Sequence, residues 1–540
     1  MLLSRGVTTT EDLDLTLQRL APPDSLGGVQ AAAELLADAI QADASIVIVG
    51  DFDADGATGT ALALRALRDM GATNVGFRVP NRFEFGYGLT EGLVESFGAE
   101  LPDLLVTVDS GIACLAGVAR ARALGAQVLV TDHHLPGAQL PEADAIVNPN
   151  LPGDAFPSKA LAGVGVMFYL LSVLRRTLKQ RGWFGRRRRE PRLDPYLDLV
   201  ALGTVADLVP LDYNNRVLVR QGMDRIRAGR ASPGLMALLR AGKRDYRHLV
   251  ASDLGFAVAP RLNAAGRLED MGIGIRCLLS DDPLEAADLA QQLDELNQDR
   301  RNLQEEMQEQ AAEQVVRLIA DLKGAELPFG ICLHDPQWHQ GIVGLVASRV
   351  KDQLHRPVVA FAPEESGSER LKGSARSIRG LHIRDVLAHV EAANPGLIPA
   401  FGGHAMAAGL SLEAARLEQF SEAFEASVSL FLGGEMPSAR IQTDGEIEPA
   451  ELGLPLARQL RGLGPWGQGF PEPLFEGSFG IIDQRVVGGA HLKMVLRPKG
   501  GGAPIDAIAF GQLPEQLPQP PSLRLLYRLD VNHFRGEESA

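Results

Sequence analysis

Asp51, Asp53 and Asp55 occupy alternate positions of the segment DFDADG, directly after the apolar run SIVIVG. Two like charges about 6 Å apart at an effective dielectric near 20 repel by roughly 2 to 3 kcal/mol. A bound cation would offset that crowding, although a single D-x-D after a strand also serves as a helix N-cap and turn. Asp109 in VTVDSG and the run Asp132, His133, His134 in VTDHH follow apolar runs in the same way. Carboxylate and imidazole ligands without a thiolate favour Mn²⁺ or Mg²⁺ over a structural zinc site. Six or more ligands are too many for one catalytic ion with open positions. Two ions are therefore expected, about 3.5 to 4 Å apart and suited to a phosphoryl displacement.

These residues act together only if the chain brings them to one edge. Residues 44–50, 103–111, 126–134 and 143–150 read as continuous apolar strands, and 58–70 and 113–124 as the helices between them. That alternation predicts a parallel α/β sheet covered on both faces. Ligands gather beyond the carboxyl ends of such strands, so all three acidic clusters should face the same edge. The apolar segment 160–174, flanked by Lys159 and Arg175, is too short to span a bilayer and predicts a buried helix.

The arginine-rich stretch 181–192 reads as a solvated loop or as a nucleic-acid contact. Residues 282–323, polar and free of proline after Pro283, predict a long connecting helix. A second α/β unit follows, with strands at 328–335 and 357–364, a helix at 341–354, and the segments LKGSARSI and FGGHAMAAGLSL. Beyond about residue 438 short alternating strands at 441–447, 478–488, 491–498 and 503–511 suggest a small β-barrel. The expected fold is α/β: two α/β lobes joined by a long helix, with a C-terminal OB-like β-barrel. The corresponding domains are 1–281, 282–324, 325–436 and 437–540.

Composition fits this division. A chain of 540 residues exceeds one comfortable core, and 45% hydrophobic content is that of globular domains. Lys and Arg total 53 against 68 Asp and Glu, a net charge of −15. That balance argues against a nucleic-acid partner, but cations in a carboxylate-rich site would offset part of it, so charge alone does not decide. Cys114, Cys277 and Cys332 form neither a disulfide framework nor a zinc spacing. The N-terminal MLLSRGVTTTEDLDL lacks the apolar core of a signal peptide. A cytoplasmic location is expected.

DFDADG, VTVDSG, VTDHH and GTVADLVPL resemble the four successive motifs of the DHH phosphoesterase superfamily, and GGHAMAAGL resembles the glycine-rich motif of its second, DHHA1-type domain. More narrowly, NAAGRL at 263–268, WHQGIVGLVASRV at 338–350 and GSARS at 373–377 resemble the RecJ family of bacterial 5′ to 3′ single-strand-specific DNA exonucleases, whose OB fold sits where this chain turns β-rich. The resemblance covers nearly the whole chain in the expected order. The arginine-rich stretch and Glu472 depart from it.

The resemblance implies a metal site of Asp51, Asp53, Asp55, Asp109, His133 and Asp207, with Asp109 bridging two Mn²⁺ or Mg²⁺ ions. His134 would contact the scissile phosphate, or else hold a neighbouring ligand in place. Asn263, Arg267 and His404 would bind phosphate oxygens and stabilise transition-state charge. Gly402 and Gly403 would let backbone approach a substrate phosphate. Ser374 and Arg376, together with Arg82, would hold a terminal 5′-phosphate. Phe83, Phe85 and Tyr87 either stack on bases or form a core-facing strand.

The implied activity is metal-dependent 5′ to 3′ hydrolysis of single-stranded DNA, threaded between the two lobes, to 5′-mononucleotides in DNA repair and recombination. The enzyme is expected as a monomer without membrane attachment, with a single-strand-binding protein and a helicase as partners. Two other readings stay open. A DHH phosphoesterase acting on pyrophosphate or short oligoribonucleotides fits less well with the chain length, GSARS and the extra β region. An inactive single-strand-binding replication scaffold would be expected to have lost ligands, and every acidic and histidine motif position is present.

Overall fold

A computed structural model of the chain describes residues 1–81, 84–321, 327–365, 367–435, 438, 440–512, 522–534 and 536–540. It divides into two units, Met1–Asp294 with Gln442–Ala540, and Glu295–Ile441. The helix Pro283–Asp321 runs through the boundary between them.

The first unit is built on five parallel strands: β1 (Ile46–Gly50), β2 (Val75–Arg78), β3 (Leu104–Val108), β4 (Gln127–Thr131) and β5 (Ala145–Val147). Their order is β2-β1-β3-β4-β5, paired in parallel throughout. Val, Ile and Leu fill β1 and β3 because both faces are covered, and every residue of β3 is buried. Strand β2 is an addition to the sequence expectation. As a half-buried edge strand of sequence VGFR it lacks the apolar run that marks the others.

The helix after β1 spans Ala54–Asp69, four residues earlier than expected. Asp53 explains the shift, because its side chain accepts hydrogen bonds from the backbone N–H groups of Asp55 and Gly56 and so caps the helix. Asp55 therefore sits in the first helical turn rather than in a loop. The expected buried helix is Gly163–Gln180, apolar and enclosed along most of its length. Among the described residues no helix is long and apolar enough to cross a membrane. Phe85 lies in a turn and packs onto the core under β1 and β3, which rules out a core-facing strand at that position. Arg82 and Phe83 lie outside the described residues.

The C-terminal part of this unit holds an antiparallel sheet of β11 (Phe475–Val487), β12 (His491–Pro498), β13 (Ile505–Ala509) and β14 (Leu523–Tyr527), in the order β13-β12-β11-β14. A register shift between Ile481 and Asp483 interrupts the ladder of this curled half-barrel. The strand expected at 441–447 is reduced to one bridge, Glu446 to Glu476. Asp444 instead pairs with Arg5 at 2.6 Å and Gly445 turns at φ 91°, so the segment is used as an anchor. Arg216, buried over the Phe470 ring at 4.2 Å, ties the same region to the α/β part.

The second unit has a mixed sheet of β6 (Ile331–His334), β7 (Val358–Pro363), β8 (Arg370–Arg376), β9 (Ala400–Gly403) and β10 (Ala407–Glu413), ordered β6-β7-β8-β10-β9. Only β6 and β7 run parallel. Alternation in β8 and β10 turns Leu371, Ala375, Leu410 and Leu412 into a core with Phe361, Phe420 and Phe424.

One contact couples fold stability to the site. The helix Leu197–Ala206, which ends at Asp207, packs on Tyr213–Arg227 so closely that a Cβ on Gly222 would lie 2.1 Å from the Leu197 carbonyl oxygen. Gly222→Ala is expected to cost about 1 to 3 kcal/mol by forcing the helices apart. A lowered thermal unfolding midpoint would show it, and an unchanged midpoint would mean the helices separate without strain.

Candidate active site

The acidic residues converge at the carboxyl ends of the parallel strands. Asp51 follows β1, Asp109 follows β3, and Asp132, His133 and His134 follow β4, while Asp207 caps the end of Leu197–Ala206. Asp51, Asp55 and Asp109 are at most 5% exposed. His133 Nε2 lies 3.0 Å from Asp109 Oδ1 and 3.4 Å from Asp207 Oδ2. Ligand atoms of Asp55, His133 and Asp207 fall within 4.8 Å of one another, as do those of Asp51, Asp53 and Asp109, and those of Asp109, His133 and His134. All six residues expected to hold metal are thus assembled in one place, with Asp109 and His133 at the seam between the groups.

Backbone donors meet part of this charge. Asp55 accepts from the N–H groups of Gly163 (2.6 Å) and Val164 (3.0 Å), at the positive end of the Gly163–Gln180 helix. Asp109 Oδ1 and Asp207 Oδ2 are buried, and among the described residues no backbone N–H reaches them; their near neighbour is His133 Nε2. Burial, then the charge of Asp53, pushes the Asp55 carboxyl up to about 7. Burial, then the charges of the other aspartates, raises Asp109 and Asp207 well above the ordinary carboxylate range. A donor set of carboxylate oxygens and imidazole nitrogens gathered in this arrangement fits a hard divalent cation such as Mn²⁺ or Mg²⁺.

Asp132 has a different role from its neighbours. Its carboxylate, 1% exposed, accepts from the N–H groups of Ile112, His133 and His134. It also accepts from His134 Nδ1 at 2.7 Å. Burial alone would lower the His134 pKa, but the hydrogen bond and charge of Asp132, with Asp51 and Asp53, outweigh it and raise it. Asn148 and Asn150 donate to the His134 and His133 carbonyls at 2.9 and 2.6 Å, which holds the backbone that carries the two imidazoles. The D-H-H motif shows Asp132, but its positioning role emerges only from these hydrogen bonds. The two asparagines lie in VNPN after β5, with no local sequence signal for the contact.

Tyr87 reaches the cluster by its hydroxyl, which donates to the Asp109 carbonyl at 3.1 Å and lies 3.4 Å from His134 Nδ1. The residue as a whole is partly exposed, and its ring is edge-on to His134. Asn263 and Arg267 lie one helical turn apart on Ala259–Leu268. A Cβ on Gly266 would stand 1.8 Å from the Phe52 carbonyl oxygen, so this helix touches the DFDADG loop only because that residue is glycine. The contact lets Asn263 Oδ1 accept from the Ala54 N–H at 2.8 Å.

The remaining site residues belong to the second unit. Arg376 Nη1 donates to Ser374 Oγ at 2.9 Å on β8. Gly344, at the start of Val343–Leu354, lies where a Cβ would be 2.6 Å from Arg376 Nη2 and 2.8 Å from Ser374 Oγ. Gly402 and Gly403 end β9, paired with Gly409 and Ala408, and His404 stands exposed at the start of the turn into β10.

Models of three families match the chain: the DHH family, N-terminal domain, at 45–204; the DHHA1 domain at 324–430; and the RecJ OB domain at 443–540. The chain is 50% identical over 539 residues to the single-stranded-DNA-specific exonuclease RecJ of Escherichia coli, covering 99% of this chain and 93% of that protein. It is similar to the crystal structure of RecJ from Thermus thermophilus in complex with Mn²⁺, with a TM-score of 0.80 and 33% identity over 99% of this chain and 73% of that one. The Mg²⁺ complex from the same organism gives a TM-score of 0.74 and 32% identity, over 99% and 72%.

The raised carboxyls set a pH dependence. Between about pH 4 and pH 7 the folded, metal-free chain holds protons that the unfolded chain releases, so its stability falls as pH rises through that window. Mn²⁺ replaces those protons, and it should raise the thermal midpoint more at about pH 8 than at about pH 5. Equal shifts at both pH values would contradict it. Asp132→Asn should lower the rate of metal-dependent hydrolysis on the order of 10- to 100-fold by releasing His134, with the fold retained. A rate within about twofold of the parent would remove Asp132 from the site.

Proposed function

The chain belongs to the RecJ family of single-stranded-DNA-specific exonucleases, and from that membership we propose that it hydrolyses single-stranded DNA from the 5′ end to 5′-mononucleotides. The observation that carries this reading is the pair of ligand groups meeting at Asp109 and His133, with buried carboxylate oxygens that no backbone N–H reaches among the described residues. Asp51, Asp53 and Asp109 would hold one ion, and Asp55, His133 and Asp207 a second, with Asp109 between them. Divalent cations at such a centre lower the pKa of the attacking water and offset charge on the departing 3′ oxygen.

The protein's own groups do the rest. His134, oriented by its Nδ1 hydrogen bond to Asp132, would donate from its outer nitrogen to a non-bridging oxygen of the scissile phosphate. Tyr87, whose phenol is held protonated by burial and the surrounding carboxylates, limits where the His134 ring can turn. Asn263 has committed its side-chain oxygen to Ala54, so its Nδ2 is the group left to donate to phosphate, alongside the Arg267 guanidinium. In the second unit, Ser374 and Arg376 would bind a terminal 5′-phosphate, assisted by Arg82, and His404 with the backbone of Gly402 and Gly403 would bind a further phosphate. Phosphate contacts of this kind carry no sequence information, in keeping with a nuclease that reads no sequence.

The segments 1–281, 282–324, 325–436 and 437–540 are proposed to act as catalytic domain, connecting helix, substrate-binding domain and OB-fold DNA-binding domain. A monomer suffices, because every residue assigned above comes from one chain. Work in DNA repair and recombination calls for a helicase to open duplex ends and a single-strand-binding protein to coat the product. The three cysteines are unpaired thiols, which supports a reducing cytoplasm.

Incubating the protein with a long 5′-phosphorylated DNA strand and, separately, a dinucleotide tests the reading. Mn²⁺-dependent release of 5′-mononucleotides from the long strand is expected. Asp109→Ala should cut that rate on the order of 1,000-fold or more while leaving the fold intact. Activity confined to the dinucleotide would instead assign the chain a small phosphoester substrate.

A further inference from the structure

Residues 181–192 play no part in the site described above, yet the loop they form is firmly held. Trp183 Nε1 donates to the Met70 carbonyl at 2.8 Å, and the Arg188 guanidinium lies over the Trp183 ring at 3.6 Å. The Gly185 N–H donates to the Arg188 carbonyl at 2.8 Å. Most of the surrounding charge is paired within the chain. Arg181 is taken by Glu34 and Asp38, and Arg192 by Asp194. Glu190, the only carboxylate of the stretch, lies 2.9 Å from Lys179 and 3.7 Å from Arg175.

Arg186, Arg187 and Arg189 remain. All three are exposed, and among the described residues their side chains have neither an ion pair nor a hydrogen bond. On a chain of net charge −15, three uncompensated cations within four residues, held by a Trp–Arg stack, form a local positive patch that a polyanion would neutralise. The patch lies at the far end of the Ala54–Asp69 helix from Asp53, about 24 Å away along 16 residues. It therefore cannot contact the phosphate being cleaved.

We propose that Arg186, Arg187 and Arg189 bind backbone phosphates of the DNA strand outside the active site. The proposal rests on the reading of the chain as a single-strand DNA exonuclease. An acidic protein segment would match the same charge, but such segments add apolar anchors that need a recess. Here the neighbouring aromatic, Trp183, is covered by Arg188, and the surface offers charge alone, as sequence-independent phosphate binding requires.

The test compares the parent with R186A/R187A/R189A, a change on an exposed loop that should leave the thermal midpoint unmoved. Binding of a labelled single strand of about 60 nucleotides is measured with metal chelated, between about 50 and about 200 mM salt. Each single-strand phosphate contact contributes about 0.7 to the slope of log K against log salt, so the slope should fall by about 2 and affinity by roughly tenfold or more at low salt. Mn²⁺-dependent hydrolysis of an oligonucleotide of about four nucleotides should keep its rate, because so short a strand does not span the distance. An unchanged slope overturns the proposal, and so does an equal loss of activity on the short strand. Loss of poly-glutamate binding with DNA binding unchanged would also overturn it, by giving the loop a protein partner. Failure of the parent to hydrolyse either strand would count against the exonuclease reading, while the salt slope would still report on the loop.

Discussion

The candidate site depends on gathering five aspartates and a histidine where water reaches them only in part. Carboxylates in such surroundings need donors or a counter-charge, since an isolated buried charge is costly. The fold supplies donors selectively. Asp53 caps the helix that starts beside it, Asp55 receives two N–H groups from a second helix, and Asp132 receives three from its own loop and the one after β3. Among the described residues Asp109 Oδ1 and Asp207 Oδ2 receive no backbone N–H and face the His133 imidazole instead. That selectivity separates residues held in position by the protein from those left with lone pairs for a cation.

Strand ends suit this purpose because a parallel sheet aligns them. Asp109 adopts φ 60°, a left-handed conformation that a non-glycine residue enters only when its surroundings impose it. Thr107 Oγ1 donates to the Ser110 carbonyl at 2.7 Å, and Thr131 Oγ1 donates to the Thr107 carbonyl at 2.6 Å, so the turn bearing Asp109 is fixed to both β3 and β4. The strain sits where the carboxylate must project toward His133 rather than along the strand. Second-layer residues thus set geometry, and the ligands set charge.

Much of this was legible in sequence because the signals were local. Apolar runs ending in Asp or His identified three strands and the edge where their ligands meet, and uninterrupted helix-forming composition identified Pro283–Asp321. What escaped was set by tertiary contact. Strand β2 has no apolar run because an edge strand is covered on fewer sides. The early start of the Ala54–Asp69 helix depends on which way the Asp53 side chain turns, and in sequence that aspartate looked like one ligand among three. The segment 441–447 alternates like a strand, yet Asp444 is bound to Arg5, 439 positions away in the chain. Asn148 and Asn150 carry no motif at all; their importance lies in carbonyls contributed by another strand's loop.

Net charge illustrates the same gap between composition and structure. A value of −15 suggests repulsion from DNA, but it sums groups that play opposite parts. The carboxylates of the site are buried or half-buried, and cations bound there would remove their contribution to the surface field. The Arg5–Asp444 pair is internal, 7% and 9% exposed at the side chains, and contributes little to what an approaching strand encounters. What a polyanion meets is the exposed, uncompensated remainder, and at 186–189 that remainder is positive. For a protein that handles a uniformly charged polymer, the spacing of unpaired charges therefore matters more than their total.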